Sequence, residues 1–279
     1  MSLKFAKITE DQIEDLMSVC GNMPGMDKNP YFREGRQARR EWLAETVKKF
    51  GTVGMLAYGG DGKAKGFVEC VPATVHPLGV FSPDVKRTAV IDCAWYTGGM
   101  AGQGQTADGE PAGVAIRKAI LDEMLRTKFF DKLLGKKCRY VDVLTLKNAP
   151  IMQYDFYKDY GFKDAVELRG CATVRYLLRY PVMGDAVECH AEQVGFDKGE
   201  KNTLVLGTYR QCHMPYLVVG KIKKAVEGLE GLNVKVVDYW ESGIPALCES
   251  SINGKPAFDG PVFFMDDESI REAVKSKMT

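Results

Sequence analysis

Tyr140-Val141-Asp142-Val143-Leu144-Thr145-Leu146 is followed, after Lys147, by Asn148-Ala149-Pro150-Ile151-Met152-Gln153-Tyr154-Asp155-Phe156-Tyr157-Lys158-Asp159-Tyr160-Gly161-Phe162. The first run is apolar and of strand length, so it reads as a buried strand. Asn148 and Pro150 are helix-start residues, because proline near the first helical position lacks only a donor that would go unpaired there. The spacing predicts a helix of about a dozen residues, closed by Gly161, with Phe162 beginning another strand.

Upstream, Thr9 and Gln12 are spaced as a capping box ahead of an amphipathic helix carrying Ile13, Leu16, Met17 and Cys20. Asn29-Pro30 predicts a second helix to about Phe50, with Gly51 as its stop. Val53 to Tyr58 and Ala64 to Val71 read as two strands of a hairpin turning at Gly59-Gly60-Asp61-Gly62. Thr88 to Tyr96 is a third strand. A glycine-rich loop from Thr97 to Gly109 leads into a helix in which Ile116, Ala119, Ile120 and Met124 recur at helical spacing. Val174 to Tyr180 reads as a further strand.

The chain has 279 residues, a formal charge of +1, 45% hydrophobic and 27% charged residues. That length suits one large domain or two ordinary ones, and the composition is that of a globular protein. Near-neutral charge argues against nucleic acid or an anionic membrane as the main partner. No apolar run reaches membrane-spanning length, and Met1 to Lys7 lacks the apolar centre of a signal peptide. The eight cysteines stand singly, without C-x-x-C spacing, which suits a reducing cytoplasm.

A strand, an asparagine, a short helix ending in Phe-Tyr and then Gly-Phe resembles the last conserved motif of the GNAT superfamily of acetyl-CoA-dependent N-acetyltransferases. The element order helix-helix-hairpin-strand-helix-strand-helix-strand extends the resemblance over residues 1–181. It implies an α/β fold with a mixed central sheet flanked by helices. It implies acetyl transfer to a primary amine, with acetyl-CoA as cosubstrate and a small-molecule or peptide acceptor. Tyr157 then takes the place of the tyrosine that protonates the leaving thiolate. Asn148 falls in the same motif.

In that family, backbone N–H groups at a helix start hold the diphosphate, since the first turn has unpaired donors and a partial positive charge. Gly113, Val114, Ala115 and Ile116 fit the family's small-residue spacing, although Glu110 stands where Gln or Arg is usual. Gly102 and Gly104 offer a second registration. Cys93, Ala94 and Trp95 would lie along the pantetheine, where the family's strands part. Glu69 and Asp92, both amid apolar neighbours, are the candidate bases, with a water relay as the other route. A strand alternates its faces, so either carboxylate could instead point to solvent. His76, after the Pro72 turn, reads as a solvated loop residue.

Downstream of a linker at 182–201, Asn202 to Tyr209 reads as a strand, Leu217 to Leu229 as a helix and Asn233 to Trp240 as a strand. Pro245 to Ile252 and Ala257 to Phe264 read as a hairpin turning at Asn253-Gly254, and Ser269 to Lys277 as a last helix. This order resembles a small thioredoxin-like domain over 202–279. A GNAT domain with such a tail resembles the YoaP-like acetyltransferases. Cys212, between strand and helix, is the candidate thiol, with Pro245 and Cys248 nearby in the implied fold. Pro215 stands where a second cysteine would serve disulfide exchange. A thiol-based redox or electrophile-handling role for Cys212 is therefore the alternative function. The Cys-His neighbours at 189–190 and 212–213 lack zinc-ligand spacing, so no metal is expected.

Overall fold

A computed structural model describes residues 2–20, 25–97, 112–147, 152–170, 175–196, 200–242, 250–260 and 262–279. The chain forms two compact units. One comprises Met1–Asn22, Arg40–Glu167 and Arg175–His190; the other comprises Met23–Arg39, Leu168–Val174 and Ala191–Thr279.

The Thr9–Gln12 capping box is present and leads into helix α1, Ile13–Cys20, which buries Ile13, Leu16, Met17 and Val19. Helix α2, Pro30–Phe50, begins where Asn29 Oδ1 accepts from the N–H groups of Tyr31 at 2.9 Å and Phe32 at 3.3 Å. It stops at Gly51, whose φ of 76° few other residues adopt cheaply.

Strands β1 (Lys4–Lys7), β2 (Gly54–Tyr58), β3 (Ala64–Pro72), β4 (Thr88–Tyr96), β5 (Tyr140–Leu146), β6 (Lys163–Arg169), β7 (Arg175–Pro181) and β8 (His190–Gln193) make one sheet. Its order is β1-β2-β3-β4-β5-β7-β6-β8. β4 and β5 are parallel, while β1–β2, β2–β3, β3–β4 and β5–β7 are antiparallel, so the sheet is mixed. Helix α3 (Ala112–Arg126), α4 (Phe129–Leu134) and α5 (Tyr154–Tyr160) follow in chain order. Ile116, Ile120, Met124, Phe129, Phe130 and Tyr157 from these helices pack with Ala89, Ile91, Val141 and Val143 of the sheet. Burying each large apolar side chain contributes about 1.5–3 kcal/mol.

Several elements depart from the sequence reading. β1 is four residues long with a lysine at each end, too short for alternation to announce it; its register, Lys4↔Tyr58 to Lys7↔Met55, is a long-range pairing. α4 is a separate short helix because Lys128, at φ 52°, breaks the turn before it. The helix expected from Pro150 is shorter in its described part. Met152 has φ 50°, Gln153 is extended, and Met152 O accepts from Leu146 N–H at 3.1 Å. Those backbone groups pair with the end of β5 instead of extending the helix, and α5 starts at Tyr154.

The second unit holds β9 (Thr203–Thr208), α6 (Met214–Val226), β10 (Asn233–Asp238), α7 (Tyr239–Ser242), β11 (Ser251–Ile252), β12 (Lys255–Pro256) and α8 (Asp267–Lys277). Its sheet order is β10-β9-β11-β12. β9 and β10 are parallel, with α6 as the crossover that parallel strands require; β11 is antiparallel to β9 and β12. Leu204, Leu206, Val219, Ile222, Ile252, Ile270 and Val274 form its core. The hairpin turn at Asn253-Gly254, with φ of 52° and 74°, is as expected, but its strands are two residues each. Pro256 lacks a ladder donor; 257–260 carries no strand, and Val262–Phe264 forms a short 3-10 turn.

Candidate functional site

The centre of the first unit is a parting of two strands. β4 and β5 pair from Thr88↔Tyr140 to Ile91↔Val143, and their ladder ends there. Both strands continue, each held on its far side: β4 by β3 to Gly66↔Tyr96, and β5 by β7 to Leu146↔Arg175. The backbone of 92–96 is thus released from β5. The register of β3 slips at the same place. Glu69 pairs with Cys93 and Cys70 with Ile91, so Asp92 is the extra residue of a bulge. Bulges re-aim side chains and end pairing, often beside functional sites.

The start of α3 lies by this parting. Gly113 packs against the Tyr96 ring so closely that a Cβ there would stand 2.2 Å from its Cζ. Gly113 and Ile116 are buried, whereas Val114 and Ala115 in the same turn are partly exposed. Cys93, Trp95 and Tyr96 are half-buried and Ala94 is buried; Trp95 stacks on Tyr96 with ring centroids 6.2 Å apart.

Tyr157 on α5 is fully buried, edge-on to Phe156 and Phe162, and its hydroxyl lies 3.9 Å from Met152 Sδ. Burial pushes the phenol well above its ordinary pKa; Arg117 pulls it back and Cys93 adds to the rise. Tyr157 therefore stands within electrostatic reach of β4 and α3. Arg117 is 2% exposed. Its Nε donates to Gly113 O at 3.3 Å and its Nη2 to Gln153 Oε1 at 3.0 Å. Its guanidinium lies over the Phe156 ring at 4.4 Å and the Tyr96 ring at 5.6 Å. Among the described residues no carboxylate pairs with it, and burial lowers its pKa.

A second polar group gathers around Asp92. Glu69 is fully buried, and the Asp92 side chain is 6% exposed, so neither faces solvent. His76 is buried too, contrary to the solvated loop position read from the sequence. The 3-10 turns at Ala73–Val75 and Pro77–Phe81 fold it inward, where its Nδ1 accepts from Leu78 N–H at 3.0 Å. That bond leaves the ring proton on Nε2, which faces Asp92 Oδ1 at 3.1 Å. Asp142 on β5 is held by Arg179 through two bonds of 2.7 Å, and Arg179 Nη2 also donates to Phe81 O. Burial raises the Asp142 carboxyl, and Arg179 and then His76 draw it back.

Glu69, Asp92, Cys93, Ala94, Trp95, Gly113 and Tyr157 are thus all contributed by the elements at the parting. Gly102, Gly104, Asn148, Pro245 and Cys248 lie outside the described residues. The sequence reading took His76 for a solvated loop residue and passed over Arg117 and the Asp142–Arg179 pair. A signal existed for Arg117: it shares the helical face of Gly113, Ile120, Leu121 and Met124, all buried. None existed for His76, whose burial depends on turns and long-range contacts.

In the second unit Cys212 is half-buried and immediately precedes His213, the N-cap of α6. His213 is 1% exposed, edge-on to Phe32 at 5.0 Å, with the Gly35 site close against its backbone. Burial, then Arg39 and Arg36, hold its pKa down at about 3. Among the described residues no disulfide is formed. Among the described residues no cluster of three or more His, Cys, Asp or Glu is placed to hold a metal ion, and no helix is long and apolar enough to cross a membrane.

No protein-family model and no curated protein matches this chain. Solved structures do. The neighbours are acetyltransferases. Ard1 from Thermoplasma volcanium aligns over 66% of this chain and 99% of its own, at 13% identity and a TM-score of 0.40. An N-acetyltransferase from Staphylococcus aureus Mu50 aligns over 65% and 99%, at 11% identity and 0.41. A GNAT-family acetyltransferase from Bacillus anthracis aligns over 65% and 96%, at 13% identity and 0.39.

Proposed function

We propose that the first unit is an acetyl-CoA-dependent N-acetyltransferase of the GNAT type, acting on a primary amine of a small molecule or peptide. The observation that carries this reading is the end of the β4–β5 ladder at Ile91↔Val143, with the first turn of α3 and the buried Tyr157 beside it. Released backbone groups within a sheet are costly unless a ligand satisfies them, and pantetheine amides have the needed donors and acceptors. The first-turn N–H groups of α3 suit a diphosphate, and the Gly113–Tyr96 contact keeps a side chain out of that turn.

In this reading Tyr157 donates its proton to the leaving sulfur. A phenol lifted above its ordinary pKa stays protonated at neutral pH and is available as an acid. Asp92 takes the proton of the attacking amine, directly or through water. The His76 Nε2–H bond holds one of its oxygens in place. Glu69 is the other candidate base on the neighbouring strand. The second unit, with strand order β10-β9-β11-β12 and a crossover helix, suits a thioredoxin-like domain. A reactive Cys212 remains the alternative function, favoured by its place just before α6, where thiolates are stabilised. The lack of a disulfide among the described residues suits a reducing cytoplasm.

The test is acetyl-CoA binding by calorimetry and thermal shift, followed by an amine screen with CoA release as readout. Ligand at about 100-fold its Kd should stabilise the protein by about 2.7 kcal/mol. Gly113→Glu should abolish that shift. No stabilisation of the wild type, together with rapid selective alkylation of Cys212, would favour the thiol reading.

A further inference from the structure

A guanidinium cannot shed its charge at neutral pH, and a buried cation without a counter-ion is expensive. Among the described residues Arg117 is in that position. It is 2% exposed, and its described partners are the Gly113 carbonyl, the Gln153 amide oxygen and two aromatic faces. Neutral oxygens and ring faces hold it in one geometry, and no described residue compensates its charge. A buried ion held so firmly, and so incompletely neutralised, suits a site where negative charge develops only transiently.

Two phenols act on it, Tyr157 first and then Tyr96, and of the two Tyr157 is the fully buried one. The two side chains share Phe156, which lies 4.4 Å beneath the guanidinium and edge-on to the Tyr157 ring at 4.9 Å. We propose that Arg117 is a positioning residue whose guanidinium holds the tyrosinate formed when Tyr157 gives up its proton. The inference rests on the acetyltransferase reading. The amine nitrogen bonds to the thioester carbonyl carbon, the carbon–sulfur bond breaks with its electron pair passing to sulfur, and sulfur takes the Tyr157 proton. The phenolate left behind is balanced by Arg117. The amine loses one proton to the base side, and Tyr157 regains one from solvent once the thiol has formed. The charged and titratable groups acting on Tyr157 are Arg117 from α3 and Cys93 from β4; Tyr96 faces Arg117 from the same strand. Gln153 is the second positioning residue, because its amide fixes Nη2.

The arrangement explains why an arginine occupies a helix face otherwise given to Gly113, Ile120, Leu121 and Met124.

The experiment places 3,5-difluorotyrosine at position 157, which brings phenol ionisation into a workable pH range, and follows it by fluorine NMR. It is run in wild type, Arg117→Gln, Arg117→Lys and Gln153→Leu. Loss of a close opposite charge should raise the titration midpoint by about one unit or more in Arg117→Gln. Arg117→Lys should stay nearer wild type, and Gln153→Leu should fall between them. With a verified acceptor, turnover should fall at least tenfold in Arg117→Gln while the acetyl-CoA Kd stays within about threefold. An unmoved midpoint in a folded Arg117→Gln protein that binds acetyl-CoA overturns the inference and leaves the acetyltransferase reading standing. Absence of acetyl-CoA binding in the wild type overturns both. If Arg117→Gln does not fold, the Gln153→Leu and Arg117→Lys midpoints decide; wild-type values in both overturn the pairing.

Discussion

Arg117 and Arg179 are buried to a similar degree, yet their surroundings differ. Arg179 makes two 2.7 Å bonds to Asp142 and a third to the Phe81 carbonyl. Arg117 has an amide oxygen, a carbonyl and two ring faces. The Arg179 pair is complete within the chain and ties β5, β7 and the Pro77–Phe81 turn together. The Arg117 site is incomplete by one negative charge among the described residues. His213 in the second unit shows a third solution: a buried base near Arg36 and Arg39 that stays neutral. A buried base is thus paired, neutralised or kept waiting, and only the last arrangement favours chemistry over stability.

The largest effect expected is on turnover at the incomplete site. Tyr157→Phe keeps the ring and its contacts with Phe156 and Phe162 but removes the hydroxyl proposed as the proton donor. Turnover on a verified amine should fall by about 10²–10⁴ with acetyl-CoA affinity nearly unchanged. A change within about twofold would make Tyr157 a packing residue.

The complete site should respond in stability. Arg179→Met strands Asp142 without its counter-charge, at a cost of about 3–5 kcal/mol in denaturant unfolding. The loss should shrink in acid. Without Arg179 the folded Asp142 carboxyl sits further above its unfolded value, so its contribution is intact below the unfolded pKa and is lost as pH rises through the folded one.

The neutralised base has the opposite sign. The folded pKa of His213, about 3, lies below its unfolded value. Its contribution is full above about pH 6.5 and declines as pH falls toward 3, by up to about 1.4 kcal/mol per unit. His213→Gln should flatten that decline in urea unfolding of the full chain. An unaltered slope would mean that His213 charges at little cost.

The smallest effect expected sharpens the contrast most. Arg117→Met removes a buried cation that has no carboxylate partner among the described residues. Unfolding free energy should change by no more than about 1 kcal/mol, or rise. A loss as large as that of Arg179→Met would show Arg117 to be a structural ion with a partner of its own.

Much of the scaffold is local and could be read directly. α2 spans Pro30–Phe50 as Asn29-Pro30 and Gly51 imply, and β4 and β5 run over the residues their apolar runs mark. Tyr157 could be singled out because its neighbours in sequence carry the motif. Caps, breakers and periodicity act over a few residues, so the chain writes them openly. What needed the folded molecule is every feature set by distant partners. β1 exists because β2 accepts it. α5 starts late because Met152 and Gln153 pair with Leu146. Asp92 is re-aimed because the β3–β4 register slips by one residue. His76 is buried by turns against a strand sixteen positions away. Arg117 shows the division most sharply. Helical spacing puts it on the inner face of α3, but whether an acid, an amide or nothing meets it there depends on Gln153, thirty-six residues on. A side chain's electrostatic partner is a tertiary fact, because charges interact through space and neighbours in space need not be neighbours in sequence.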